Sequence, residues 1–154
     1  MEGVDYFFRT AEEFETMVRG GALLEWAEYL DQWYGTPRDW VDQHLASGYD
    51  VTLEIEVQGA KQVRRHRPEA VLIYMLPPSW EELRRRLVGR GSDQEETQRR
   101  RLEIARQEIA SLRDYDYAII NDEVERATGH LLAILEAERW RVGRLDLSAV
   151  SENL

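Results

Sequence analysis

Apolar and polar positions follow two rhythms along this chain, and the change from one to the other outlines its elements. The stretch after Thr10-Ala11-Glu12-Glu13 predicts a helix running to about Arg19. Thr10 as N-cap and Glu13 three residues later form a capping box, and Gly20-Gly21 ends the helix. Leu23–Tyr29 alternates in part with a period of two and predicts a strand. Trp33-Tyr34-Gly35-Thr36-Pro37 predicts a turn into a helix, with Thr36 as N-cap and Pro37 in the first helical position. Trp40, Val41, His44 and Leu45 would form that helix's apolar stripe, and Gly48 would end it.

From Asp50 onward strands and helices alternate. Val51–Val57 predicts a strand, followed by a short helix from Gly59 to about Arg67. Ala70–Leu76 is a continuous apolar run and predicts a strand buried on both faces. Pro77-Pro78 stops it, and Ser79-Trp80-Glu81-Glu82 reads as a second capping box for a helix to about Val88. Gly89-Arg90-Gly91 breaks that helix. A long charged helix is predicted from about Asp93 to Leu112, with Glu95/Arg99 and Glu96/Arg100 at the favourable i,i+4 spacing. Tyr117–Ile120 is the last strand, and Asp122–Glu125 opens a final helix whose stripe includes Val124, Ala127, Leu131 and Leu135. Strands separated by helix-length segments imply an α/β fold, a parallel sheet wound with helices.

Composition narrows the classes of function. A length of 154 residues predicts a single domain, and 43% hydrophobic with 10% aromatic residues is globular. The net charge of −10 argues against nucleic acid or anionic membrane as a partner, since both call for a basic surface. The chain has no cysteine, so neither disulfides nor thiolate chemistry enters. No apolar run reaches the roughly 20 residues of a membrane span and no signal peptide is visible, so a soluble, cytoplasmic protein is expected.

Several residues could carry chemistry. Ligands of α/β sheets sit at the carboxyl ends of strands, where this chain places Glu54-Ile55-Glu56, Pro77-Pro78-Ser79 and Asn121-Asp122. Glu54 and Glu56 share one face of a strand and could orient a nucleotide or hold Mg²⁺ through water; the alternative is a solvated carboxylate pair. Glu25, beside Trp26, could accept the paired N1–H and amine of guanine, with Thr36 offering a hydroxyl to the same base; the alternative places Glu25 on a wet face. Tyr6 and Tyr34 could donate to phosphate oxygens or serve as half-buried packing residues. The arginines cluster at 84–86, 90 and 99–101. Arg90, between two glycines, stands apart from what otherwise reads as solvated helix faces. His44, His66 and His130 lack metal-ligand spacing and read as structural.

Taken in order, Gly3-Val4-Asp5-Tyr6-Phe7-Phe8, Leu24-Glu25-Trp26-Ala27, Trp33-Tyr34-Gly35-Thr36, Leu53-Glu54-Ile55-Glu56-Val57-Gln58-Gly59-Ala60, Pro77-Pro78-Ser79, Gly89-Arg90-Gly91 and Ile120-Asn121-Asp122 closely resemble guanylate kinase, over about residues 3–138. The resemblance implies a P-loop nucleoside-monophosphate-kinase fold and transfer of the ATP γ-phosphoryl group to GMP, with Mg²⁺. It implies that Glu25 and Thr36 read guanine and that Tyr6 and Tyr34 hold the GMP phosphate. Glu54 and Glu56 would lie at the acceptor nucleotide and the metal's water shell, with no direct protein ligand to the metal. Arg86, Arg90 and Arg101 would neutralise the transferring phosphoryl group, and Arg90 and Asn121 would lie on the ATP side. The layout implied is a GMP-binding region over 1–49, a core over 50–142 with a lid at about 86–101, and a tail over 143–154.

One family feature has no counterpart. A phosphate loop needs Gly-x-x-x-x-Gly-Lys-Ser/Thr, and Lys61, the single lysine, is flanked by Ala60 and Gln62. The expectation is therefore a chain lacking the N-terminal strand, phosphate loop and helix, with weak GMP binding and negligible catalysis. A strand between Val51–Val57 and Val71–Leu76 would be missing from the sheet. Two other readings accompany this one: a non-catalytic guanylate kinase-like module that binds proteins, and a homo-oligomer or complementing chain that supplies the strand.

Overall fold

The computed structural model describes residues 7–29, 31–88 and 95–145, with backbone alone at 87–88, 95–98 and 108. The chain divides into two compact units, with the boundary between Ala70 and Val71.

In the first unit, helix α1 (Ala11–Arg19) starts on the predicted capping box: Thr10 Oγ1 accepts from Glu13 N at 3.2 Å and Glu13 Oε2 accepts from Thr10 N at 2.8 Å. Strands β1 (Leu23–Tyr29) and β2 (Gln32–Pro37) form an antiparallel hairpin. Asp31 in the connection has φ 62°, a left-handed conformation that Asp tolerates better than most residues. Helix α2 (Arg38–Ala46) and helix α3 (Val57–His66) follow. Leu24, Val41 and Val63 form the buried centre, with Val51, Leu53, Ile55 and Ala70 packed around it. A two-stranded hairpin is marginal alone. The apolar contacts of β1 with α2 and α3 stabilise this one.

Three expectations for this unit are corrected. Trp33–Pro37 is a strand rather than a turn into a helix, and α2 has Pro37 as N-cap with no side-chain cap. The Thr36 hydroxyl instead goes to Glu25 on the neighbouring strand. Pairing with β1 supplies backbone bonds that a local cap cannot match. The predicted strand Val51–Val57 is not formed: 51–56 has no regular secondary structure, and Val57 already begins α3. Its alternation survives over 51–55, with Val51, Leu53 and Ile55 half-buried and Thr52 and Glu54 exposed, and stops at Glu56, which is half-buried. Among the described residues no strand pairs with it, so this segment has no ladder. The α2 stripe is also narrower than predicted: Val41 is buried, while Trp40 and Leu45 are exposed.

In the second unit, β3 (Ile73–Leu76) and β4 (Tyr117–Ile120) run parallel. Asp116 sets the start of the pairing: its Oδ2 accepts from Leu72 N at 2.8 Å and its N donates to Leu72 O at 2.9 Å. Helices α4 (Trp80–Val88), α5 (Glu95–Ile109) and α6 (Val124–Arg139) accompany this pair, with 3₁₀ turns at Ala110–Asp114 and Val142–Arg144. Ser79 Oγ accepts from Glu82 N at 3.1 Å, but the Glu82 carboxylate turns to Arg85 and Arg86, so only half of the second predicted box is seen. β3 is shorter and wetter than the doubly buried strand expected: Met75 is exposed, because only β4 flanks it among the described residues. On α6, Ala127 is buried and Leu131 and Leu135 are half-buried, whereas Val124 faces solvent. A buried Glu138 accepts a 2.7 Å hydrogen bond from the Tyr117 hydroxyl and pairs with Arg141 and Arg144 at 3.3 Å. No helix among the described residues is long and apolar enough to cross a membrane.

Candidate active site

The β1–β2 register sets Glu25 opposite Thr36, and opposed residues present their side chains on the same face. Thr36 Oγ1 donates to Glu25 Oε1 at 2.6 Å. Glu25 is 4% exposed, one of two buried charged side chains among the described residues. Burial pushes its carboxyl above the ordinary carboxylate range, and the hydrogen bonds from Thr36 pull it part of the way back. The wet-face alternative for Glu25 is thereby removed. A buried, hydrogen-bonded carboxylate is an acceptor site that remains costly until donors meet it.

The other carboxylate oxygen lies against α3. A Cβ placed on Gly59 would stand 3.1 Å from Glu25 Cδ and closer still to Oε2. Glycine at this position is what lets the carboxylate approach the first turn of α3. Further along the helix, Gln62 Nε2 donates to Trp26 O at 2.5 Å, and Trp26 N donates to Gln62 Oε1 at 3.3 Å. The His66 ring donates from Nδ1 to Leu24 O at 2.9 Å. The residues on either side of Glu25 are thus bonded to α3.

Tyr34 shares the face of Thr36 by strand alternation and is 47% exposed. Trp33 packs against Phe14 and Trp26, with ring centroids at 5.5 and 6.0 Å. Glu54 is exposed, and Glu56, half-buried, is the N-cap residue of α3. Among the described residues there is no group of three or more acidic or histidine side chains arranged to hold a metal ion. In the second unit, Arg86 and Asn121 are brought together: Arg86 Nη2 donates to Asn121 O at 2.9 Å, while Nε donates to Glu82 Oε1 at 2.7 Å. The Arg85 and Arg86 hydrogen bonds hold the Glu82 carboxyl below its ordinary range. Arg101 is half-buried on α5. Tyr6 and Arg90 lie outside the described residues, as do Gly89 and Gly91 and the side chains of Glu95 and Glu96.

The contributions of Gly59, Gln62 and His66 to the surroundings of Glu25 are not legible from their residue types alone. Their spacing of i, i+3 and i+7 marks one helix face, which could have signalled a shared contact.

The family model for guanylate kinase matches residues 1–138. The chain belongs to the guanylate kinase family. Among curated relatives, a guanylate kinase of Streptococcus agalactiae is 51% identical over 145 residues, covering 94% of this chain and 69% of that protein. One of Streptococcus pneumoniae is 52% identical over 145 residues, covering 94% and 70%. The crystal structure of guanylate kinase from Anaplasma phagocytophilum superposes with a TM-score of 0.82 at 34% identity, over 99% of this chain and 76% of that one. Membership makes the protein a nucleoside-monophosphate kinase of the mixed α/β class.

Proposed function

We propose that this protein phosphorylates GMP to GDP at the expense of ATP, with Glu25 and Thr36 reading the guanine base. The observation that carries this reading is the buried Glu25 carboxylate held by Thr36 at 2.6 Å. Guanine offers N1–H and the exocyclic amine side by side, and one carboxylate accepts both; adenine has no such pair. A site built around a desolvated acceptor rejects bases that leave it unpaired.

The remaining roles follow the family pattern. Tyr6 and Tyr34 hold the GMP phosphate. Glu54 and Glu56 line the acceptor side, within a GMP-binding region over 1–49 and the start of the core. Arg86, Arg90 and Arg101 neutralise the transferring phosphoryl group, in and beside a lid over about 86–101, and Asn121 lies on the adenine side. Phosphoryl transfer depends on positioning and charge neutralisation more than on covalent help. Mg²⁺ fits this donor set only as an ion carried by the nucleotide phosphates: it keeps several waters and takes few carboxylates, and Glu54 and Glu56 suit its water shell. When bound, it supplies charge neutralisation at the phosphates. A cytoplasmic setting is consistent with these substrates.

Isothermal titration of the 154-residue chain with GMP, IMP and AMP tests the base reading. Binding is the quantity to follow, because these residues contain no Gly-x-x-x-x-Gly-Lys-Ser/Thr sequence to cradle ATP phosphates. GMP should bind best, and Glu25→Gln should abolish the preference. Equal binding of GMP and AMP would refute the assignment.

A further inference from the structure

α3 meets β1 at the tripeptide that carries Glu25. Gly59, Gln62 and His66 lie on one face of α3, and each touches a different member of Leu24-Glu25-Trp26. Gly59 leaves room for the Glu25 carboxylate. The Gln62 amide both donates to and accepts from Trp26, at 2.5 and 3.3 Å, as a neighbouring strand would. His66 Nδ1 donates to Leu24 O at 2.9 Å, which fixes the hydrogen on that nitrogen. We propose that this face of α3 positions Glu25 for base recognition, with Gln62 and His66 acting through the backbone of Trp26 and Leu24.

The inference rests on the guanine reading of Glu25 given above, and it adds the device that aims the carboxylate. The edges of a two-stranded hairpin fray readily. Thr36 restrains the Glu25 side chain but not the backbone on the far edge of β1. Gln62 and His66 supply that restraint on both sides of Glu25. A carboxylate must accept two parallel hydrogen bonds from guanine, so an error of a fraction of an ångström matters. A merely structural role would lower global stability and leave Glu25 in the folded protein unchanged. A positioning role alters the environment of Glu25 itself.

The test uses the 154-residue chain and the variants Gln62→Met, His66→Leu and His66→Asn. The Asn amide nitrogen falls where the imidazole Nδ1 stands, so it keeps the donor that Leu removes. Two quantities are read in folded protein: the Glu25 carboxyl titration by carbon-13 NMR, and the ratio of GMP to IMP affinity. IMP lacks the exocyclic amine. Gln62→Met and His66→Leu should move the Glu25 titration toward the ordinary carboxylate value and cut the GMP-to-IMP ratio about tenfold, the scale of one lost hydrogen bond. His66→Asn should retain both. An unchanged Glu25 titration in Gln62→Met and His66→Leu would overturn the proposal. If Gln62→Met does not fold, the His66 variants decide: identical Glu25 titrations in Leu and Asn would overturn it. Wild-type protein with no preference for GMP over IMP would remove the guanine reading alone, since the carboxyl titration still decides whether α3 positions Glu25.

Discussion

Thr36 Oγ1 donates a 2.6 Å hydrogen bond to Glu25 Oε1 across the paired strands β1 and β2. The bond joins two residues eleven positions apart, and it takes the Thr36 hydroxyl away from the helix that follows. Removing the donor tests its weight. Thr36→Val keeps the shape and the β-branch but leaves one carboxylate oxygen without its partner. The expected cost is about 1 kcal/mol, or about a fivefold loss of GMP affinity by calorimetry. Thr36→Ser should keep most of the affinity.

Glu25 should also impose a pH dependence. Its carboxyl is raised in the folded protein, chiefly by burial. A raised acid favours the folded state fully below the unfolded value, and that stability is lost as pH rises through the folded value. Denaturant midpoints of wild type should therefore fall relative to Glu25→Gln as pH climbs above the ordinary carboxylate range. GMP affinity should rise over the same window, because only the ionised carboxylate accepts both guanine donors. A GMP affinity that stays flat with pH across that window would contradict this.

Gly59→Ala sets two effects against each other. In an α-helix, Ala is favoured over Gly by about 0.5–1 kcal/mol. The new methyl would collide with the Glu25 carboxylate, and overpacking typically costs about 1–3 kcal/mol. The collision should win, because Glu25 is held by Thr36 and by the backbone bonds to Gln62 and His66. Urea denaturation should show net destabilisation, and GMP binding should weaken.

The second unit has its own acid-sensitive bond. The Tyr117 hydroxyl, followed by Arg141 and Arg144, holds the Glu138 carboxyl below the ordinary range. A depressed acid contributes stability above its unfolded value, and that stability is lost as pH falls through the folded value. Tyr117→Phe should raise the pH at which the protein unfolds in acid, followed by circular dichroism, and should change little at neutral pH beyond the loss of the bond itself.

Elements fixed by near neighbours were legible from the sequence. The Thr10/Glu13 box, the stop at Gly20-Gly21, the strand Leu23–Tyr29 and the strand Tyr117–Ile120 all appear as predicted. Their determinants are hydrogen bonds and burial patterns within a few residues. The misses involve distant partners. Thr36-Pro37 carries a valid local helix-start signal, yet the Thr36 hydroxyl is committed to Glu25. Val51–Val57 alternates as a strand does, but a ladder needs a second chain segment beside it.

The sequence by itself determined the family, through the order of its motifs, and the residue types at the candidate site. Only the tertiary structure decided that Glu25 is buried rather than wet, that Thr36 serves it, and that Gly59, Gln62 and His66 back it from α3. The physical reason is range. Local propensity reports what a residue can do with its neighbours along the chain, whereas the environment of the Glu25 carboxylate is set by folding, which brings Thr36 to it from eleven positions away and His66 to the adjoining Leu24 from forty-two.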